Sequence, residues 1–355
     1  GGINLEDIKA PECFIIEEKL NKLMDIPVFH DDQHGTAIIT GAALINAAFL
    51  TKRKMSDIRL VVNGAGAAAM SCINLAISLG VSRDNVILCD THGVIYKGRT
   101  EGMNKWKEEK AVVTKHRTLS DAIKGADVFL GLSVKGAMTK EMVSSMAKNP
   151  IIFAMANPDP EITPEDIKLV RDDAIIATGR SDYDNQVNNV MGFPYIFRGA
   201  LDVRATDINE EMKIAAAHAL ADLARKPVPE EVYRAYDKQR KCFGPDYIIP
   251  VPFDPRLITT IPVAVAQAAI KSGVARVKGL NIKKYRAELA SRLNPTSNYM
   301  HFVFDKISHA PLQRVIFAEG EEEEVIKAAI MMRDEHCGVP IIVGRHSKID
   351  PIVEA

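Results

Sequence analysis

The sequence predicts an α/β protein: a doubly wound, mostly parallel sheet with flanking helical segments, followed by the start of a second α/β domain. Three observations lead there. Apolar runs at 58–62, 86–89, 127–132, 151–155 and 174–178 are separated by helical or turn-like segments, the rhythm of parallel strands covered on both faces. A glycine-containing loop, Gly64-Ala65-Gly66-Ala67-Ala68-Ala69, follows the first of these runs. Beyond residue 311 a strand, helix, strand order begins afresh.

Taken in order, Gly1 to Leu5 lead at once into Glu6-Asp7. None of the scaffold that would hold such acids precedes them, so the chain reads as a fragment or a processed piece. Phe14, Ile15, Leu20, Leu23 and Met24 lie on one helical face over residues 12–24, with Pro11 suited to the first turn. Ile26 to Phe29 form a short strand ending at His30, with Asp31 and Asp32 just past it. Thr36 to Leu50 is apolar nearly all round, as a helix buried between layers is, and Lys52, Arg53 and Lys54 complement its carboxyl end. After residue 200 helix dominates, at Ala215–Leu223 and Ile261–Ala275. The polar stretch 290–311, with Asn294, Pro295, Thr296, Ser297 and Asn298, reads as a linker. Arg314–Ala318 (strand), Glu321–Glu335 (helix) and Val339–Val343 (strand) begin a unit that the chain is too short to close. The expected organisation is 1–57, an end of one domain bearing the acids; 58–205, the nucleotide domain; 206–290, a helical segment; 291–311, the linker; and 312–355, a truncated second domain.

Charge excludes some partners. Lysine and arginine total 45 against 46 acidic residues, too balanced to recruit nucleic acid or an anionic membrane surface. Cys13, Cys72, Cys89, Cys242 and Cys337 are odd in number and form no C-x-x-C pair. They fit reduced, structural thiols of a cytoplasmic protein. No apolar run of about twenty residues is present to span a bilayer.

The glycine loop carries the first chemistry. Gly64 permits a tight turn, Gly66 lets backbone amides approach a pyrophosphate, and Ala69 permits close helix–sheet packing. Strand, loop, helix and a second strand ending in Asp90 come in the order of a Rossmann-like dinucleotide site. The bland alternative is a glycine turn in an unrelated α/β fold. Asp90 would ordinarily accept hydrogen bonds from an adenosine ribose, favouring NAD. Lys97, Arg99, Lys105 and Lys107 are cations near the same end that could pair a 2′-phosphate.

Two acidic pairs carry the second. Glu6-Asp7 and Asp31-Asp32 each stand where a strand gives way to a helix. They could converge on a hard divalent cation, or merely complement helix dipoles. His30 and His34 are four apart, but zinc pairs of that spacing lie within one helix and these straddle a strand end. Asn157, and the pair Asn188-Asn189, fall where polar residues line a ligand crevice or form turns.

As a set, these residues resemble the malic enzymes over roughly residues 3 to 280. The segments that carry the likeness are Asn4-Leu5-Glu6-Asp7-Ile8, Phe29-His30-Asp31-Asp32-Gln33-His34-Gly35-Thr36-Ala37, the glycine loop, Asp90 to Arg99, Ala156-Asn157-Pro158 and Asn188-Asn189. The tail from Arg314 to Arg345 is similar to the opening of a phosphate acetyltransferase domain, the order found in bacterial two-domain, NADP-dependent malic enzymes. The resemblance implies oxidative decarboxylation of malate to pyruvate and carbon dioxide. It implies magnesium or manganese on Glu6, Asp7 and Asp32, and Asp31 beside a catalytic lysine. It implies coenzyme contacts at Thr36, Gly64, Ala65, Gly66, Ala67, Ala68, Asp90, Ser133 and Asn157, with Asn157, Asn188 and Asn189 near the substrate. Lys107, or Lys105 beside it, aligns with a lysine that favours NADP. A homo-oligomer is implied too, with acetyl-CoA as an effector at a full carboxyl-terminal domain. In the family the base lysine and acid tyrosine precede the acidic motif, so these residues alone are expected to be without turnover. The competing expectation is a silent NADP-sensing regulatory module.

Overall fold

A computed structural model describes residues 1–230, 232, 242–293, 307, 311–334 and 337–353. It divides into two compact units, Gly1–Arg286 and Ala287–Ala355.

In the first unit, β1 (Ile3–Leu5) and β2 (Val28–His30) form a parallel pair joined through helix α1 (Glu12–Leu23). Helix α2 then runs from Asp31 to Leu50. It starts five residues before the Thr36 expected, because the polar run Asp31-Asp32-Gln33-His34-Gly35 does not look apolar enough for a buried helix. His30 in extended conformation caps it, and the two aspartates oppose the positive end of its dipole. Beyond that turn α2 is apolar and central: Ile38, Ile39, Ala42, Ala43 and Ala47 have no exposed surface. Each buried isoleucine contributes roughly 1.5–3 kcal/mol. Asn46, fully buried within it, donates to the carbonyls of Ala221 and Ile248 at 2.9 and 2.7 Å.

The main sheet has six strands. β3 (Leu60–Asn63), α3 (Ala67–Ser78), β4 (Val86–Asp90) and β5 (Gly93–Val94) come first; β6 (Val128–Gly131), β7 (Ile151–Ala154) and β8 (Ile175–Thr178) follow. Their spatial order is β5-β4-β3-β6-β7-β8. All neighbours are parallel except β5, an antiparallel edge against β4 that the sequence did not foreshadow. Strand residues Leu60, Val61, Val62, Val128, Phe129, Ile151, Ile152 and Phe153 are buried, as a sheet covered on both faces requires.

Helices complete the unit: α4 (Phe193–Asp202), α5 (Glu210–Ala224) and a sixteen-residue helix Leu257–Ser272. The last two begin earlier than the apolar pattern indicated, α5 because Asn209 caps it by accepting from the Met212 amide. Gly273, at φ +85°, ends the Leu257–Ser272 helix in a left-handed cap. Among the described residues no helix is long and apolar enough to cross a membrane.

In the second unit Arg314–Phe317 and Val339–Ile342 pair in parallel, with a helix at Glu323–Asp334. The linker residues Asn294 to Asn298 and the expected helix end at Glu335 lie outside the described residues.

Candidate active site

The chain passes from β3 to β4 on one side and later returns to β6 on the other side of β3. This switch opens a crevice at the carboxyl ends of β3 and β6, where ligands of doubly wound sheets bind. Gly64 stands there at φ +111°, and a Cβ on it would lie 2.2 Å from the Leu132 carbonyl oxygen. Only glycine satisfies both demands. Gly66 caps α3, and no atom lies within 4 Å of where its Cβ would be. The first amides of α3, from Ala67 and Ala68, therefore meet open space with the positive end of the helix dipole behind them, a natural anion seat.

At the end of β4, Asp90 is already engaged within the protein. Arg99 Nη2 donates to both carboxylate oxygens at 2.8 and 2.7 Å, Lys107 Nζ to Oδ2 at 2.7 Å, and the His92 amide to Oδ1 at 2.9 Å. Burial alone would raise its pKa, but these donors hold it below the ordinary carboxylate value. The Asp90 carboxylate is thus shared with two cations that the sequence could not pair with it. The trio carries one net positive charge. Lys105 stands apart, with Nζ 4.4 Å from the ring centre of Trp106.

The acids meet around the first turn of α2. Asp31 is 5% exposed. Its Oδ2 accepts from Asn189 Nδ2 at 2.7 Å, and its Oδ1 is buried without a partner. Burial first, then the negative charges of Glu6 and Asp32, push its pKa up to about 7 against the pull of Asn189. Asp32 Oδ2 accepts from the Asp7 amide at 2.9 Å, with Asp7 turned to φ +55°. Glu6 accepts from Asn4 at 2.9 Å. Gly35 is part of the same arrangement, because a Cβ there would fall 1.9 Å from Asp31 Oδ1. The hard oxygen donors suit magnesium or manganese, and the orphaned Asp31 oxygen marks unmet demand for positive charge. Among the described residues, however, no three acids, histidines or cysteines are gathered closely enough to enclose a metal.

The two histidines part company. The longer α2 puts His34 inside a helix, where Nε2 lies 2.8 Å from Glu17 and Nδ1 3.2 Å from Lys213 Nζ. His30 is fully buried with neither ring nitrogen hydrogen-bonded. A cavity of about 440 Å³ lined by Glu17, His34, Trp106 and Lys213 contains none of the expected site residues.

The asparagines differ from one another. Asn189 reaches Asp31, whereas Asn188 spends its side-chain oxygen on the Val190 amide at 3.0 Å, capping a short turn. Asn157 is exposed just beyond β7, and Thr36 is half-buried on α2. Ser133, after β6, donates to Glu161 Oε1 at 2.9 Å and accepts from Asn63 Nδ2 at 2.8 Å. Glu161 itself was missed. Its one sequence signal is indirect, a glycine, Gly131, within an otherwise bulky strand. Of the five cysteines, Cys13, Cys72 and Cys89 are buried, with burial pushing the last two thiols up to about 12, but Cys242 is exposed and is no core thiol.

Comparison with known proteins decides the family. Residues 33–242 match the malic enzyme NAD-binding domain. The chain belongs to the malic enzyme family. It is 73% identical over 350 residues to a probable NADP-dependent malic enzyme of Rickettsia prowazekii, covering 99% of this chain and 46% of that protein. It is 60% identical over 345 residues to the NADP-dependent malic enzyme of Rhizobium meliloti, covering 97% and 45%. The crystal structure of Entamoeba histolytica malic enzyme superimposes with a TM-score of 0.74 at 35% identity, covering 88% of this chain and 63% of that one. The chain thus spans about half the length of the curated relatives it matches. For a malic enzyme, the doubly wound sheet with its glycine loop is the expected nucleotide-binding frame.

Proposed function

We propose that the whole protein oxidatively decarboxylates malate to pyruvate and carbon dioxide with NADP as hydride acceptor, assisted by magnesium or manganese. The observation that carries this reading is the negative charge of Glu6 and Asp32 beside the buried Asp31, in the same unit as a nucleotide loop flanked by a net positive cluster. Glu6, Asp7 and Asp32 would hold the divalent cation once Glu6 and Asp7 turn toward Asp32. The chemistry such a cation supplies is charge stabilisation at the oxygens of a 2-hydroxy acid. Asn189 fixes Asp31, leaving Oδ1 able to accept from a lysine ammonium. Asn157 and Asn189 orient the substrate, while Thr36 and the amides of Ala65 to Ala68 contact the coenzyme. Lys107 and Arg99, rather than Asp90, set the preference for NADP over NAD.

Residues 1–57 are read as the end of a substrate domain, 58–205 as the nucleotide domain, 206–290 as its helical completion, and 312–355 as the beginning of a phosphate acetyltransferase-like domain after the 291–311 linker. An acetyl-CoA effector would act at that domain in full, and the whole protein would work as a homo-oligomer in the cytoplasm.

The test uses whole protein with malate, NADP and manganese, following NADPH absorbance. Asp32→Asn keeps an oxygen for the Asp7 amide but removes a charge. It should lower turnover by about 100-fold at limiting manganese and leave NADP affinity nearly unchanged. Normal manganese dependence in that variant would sink the metal assignment. NADP binding without any malate-dependent turnover in the wild type would favour the sensing module instead.

A further inference from the structure

Glu161 has no exposed surface, and its carboxylate is met by three donors from two strand ends. Oε1 accepts from the Ser133 amide at 2.8 Å and from Ser133 Oγ at 2.9 Å; Oε2 accepts from the Ala156 amide at 3.1 Å. Space for it exists because residue 131 is glycine. A Cβ there would lie 2.4 Å from the Glu161 carboxyl carbon and 2.6 and 2.7 Å from its oxygens. Burying a carboxylate is expensive, and a bare strand with a missing side chain is a second sacrifice of packing. Both fall at the mouth of the crevice: Ser133 follows β6, and Ala156 immediately precedes Asn157.

We propose that Glu161 is a positioning residue for the coenzyme, acting through Ser133 and fixing the direction of its hydroxyl. A serine hydroxyl has one hydrogen and two lone pairs. In this chain the hydrogen points to Glu161, the stronger, charged acceptor. One lone pair takes the Asn63 Nδ2 hydrogen at 2.8 Å. What remains toward the crevice is a single lone pair, so Ser133 can only accept. Its partner on a nicotinamide nucleotide is therefore a donor, the carboxamide N–H or a ribose hydroxyl, and not a phosphate oxygen. Because Asn63 adjoins Gly64, the same chain of bonds also ties the nucleotide loop to the ends of β6 and β7. This inference rests on the reading that the chain binds NADP, but not on the reaction with malate.

The experiment measures NADP affinity of the whole protein by calorimetry without malate. Glu161→Met fills the same space but offers the Ser133 hydroxyl no oxygen, so Ser133 loses its fixed direction and affinity should fall about tenfold. Ser133→Ala should give a similar loss, and the double variant should be no weaker than the weaker single, since both remove one contact. Losses that multiply to about 100-fold would mean that Glu161 does not act through Ser133. If Glu161→Met does not fold, Ser133→Ala decides alone: unchanged NADP affinity overturns the proposal. A wild type that binds NADP yet does not turn over malate would sink the reaction while this inference stood. Intact malate turnover with a Ser133→Ala protein of normal NADP affinity would do the reverse.

Discussion

At the first turn of α2, Asp31 is buried among Glu6 and Asp32, and its pKa rises to about 7; at the end of β4, Asp90 is nearly as buried, its side chain 7% exposed, yet its pKa is held down. Desolvation is the largest influence on both. The difference is the company: Arg99 and Lys107 donate to Asp90, whereas Asp31 has one neutral amide and two negative neighbours. A buried carboxylate with its cations supplied is a finished piece of architecture. One lacking them resists ionisation, and carboxyls perturbed in this way are typical of functional sites.

The comparison can be broken most sharply at Arg99, whose side chain is 4% exposed and also donates to the carbonyls of Gly93, Val94 and Glu101. Arg99→Met leaves Asp90 buried with a single cation and should cost about 3–5 kcal/mol of unfolding free energy, read by denaturant titration. A loss below about 1 kcal/mol would show that the pair is solvated like a surface ion pair. At the other pole, Asp31→Asn should stabilise the fold by roughly 2 kcal/mol, because it removes one of three converging charges and still offers Asn189 an acceptor. It should abolish most turnover at the same time. Destabilisation on this substitution would mean that Asp31 is paired in solution and that the two poles are alike.

The smallest effect is expected at Lys107. Lys107→Gln keeps Arg99 on Asp90 but removes the charge proposed to meet a 2′-phosphate, so NADP affinity should fall about tenfold while NAD is spared. Equal weakening of both coenzymes would return the lysine to a purely structural role. Its pH signature has a definite sign. Asp90's folded pKa is depressed, so the unfolded chain takes up its proton first and the stability that Asp90 contributes is lost as pH falls below about 4. The Lys107→Gln variant should lose less stability across that range, as thermal melts from pH 6 down to pH 3 would register.

The sheet was readable because its strands are continuous apolar runs and its loop uses glycines for backbone reasons, signals that live in single residues such as Gly64. The acids were legible as pairs, but their convergence depends on Asp7 adopting a left-handed turn and on α2 starting at Asp31, neither of which a polar run of five residues announces. Asp90 was legible as the end of β4, but its pairing with Arg99 and Lys107 was not, because they stand nine and seventeen positions away on a loop whose path the sequence leaves open. Glu161 was invisible for a different reason. In Asn157-Pro158-Asp159-Pro160-Glu161 nothing distinguishes the buried carboxylate from Asp159, which pairs with Lys135 at 3.0 Å on the surface. Asn188 and Asn189 show the same limit at one residue's spacing, since only the second faces Asp31.

The contact at Gly64 has a mechanical meaning. Its Cα is pressed so near the Leu132 carbonyl that no side chain fits between them, so the loop entering α3 and the loop leaving β6 share one backbone joint. On the proposed coenzyme reading, a nucleotide drawn against the amides of Ala67 and Ala68 would press, through that joint, on the segment carrying Ser133, so that grip on the diphosphate and aim of the reactive ring would become a single adjustment.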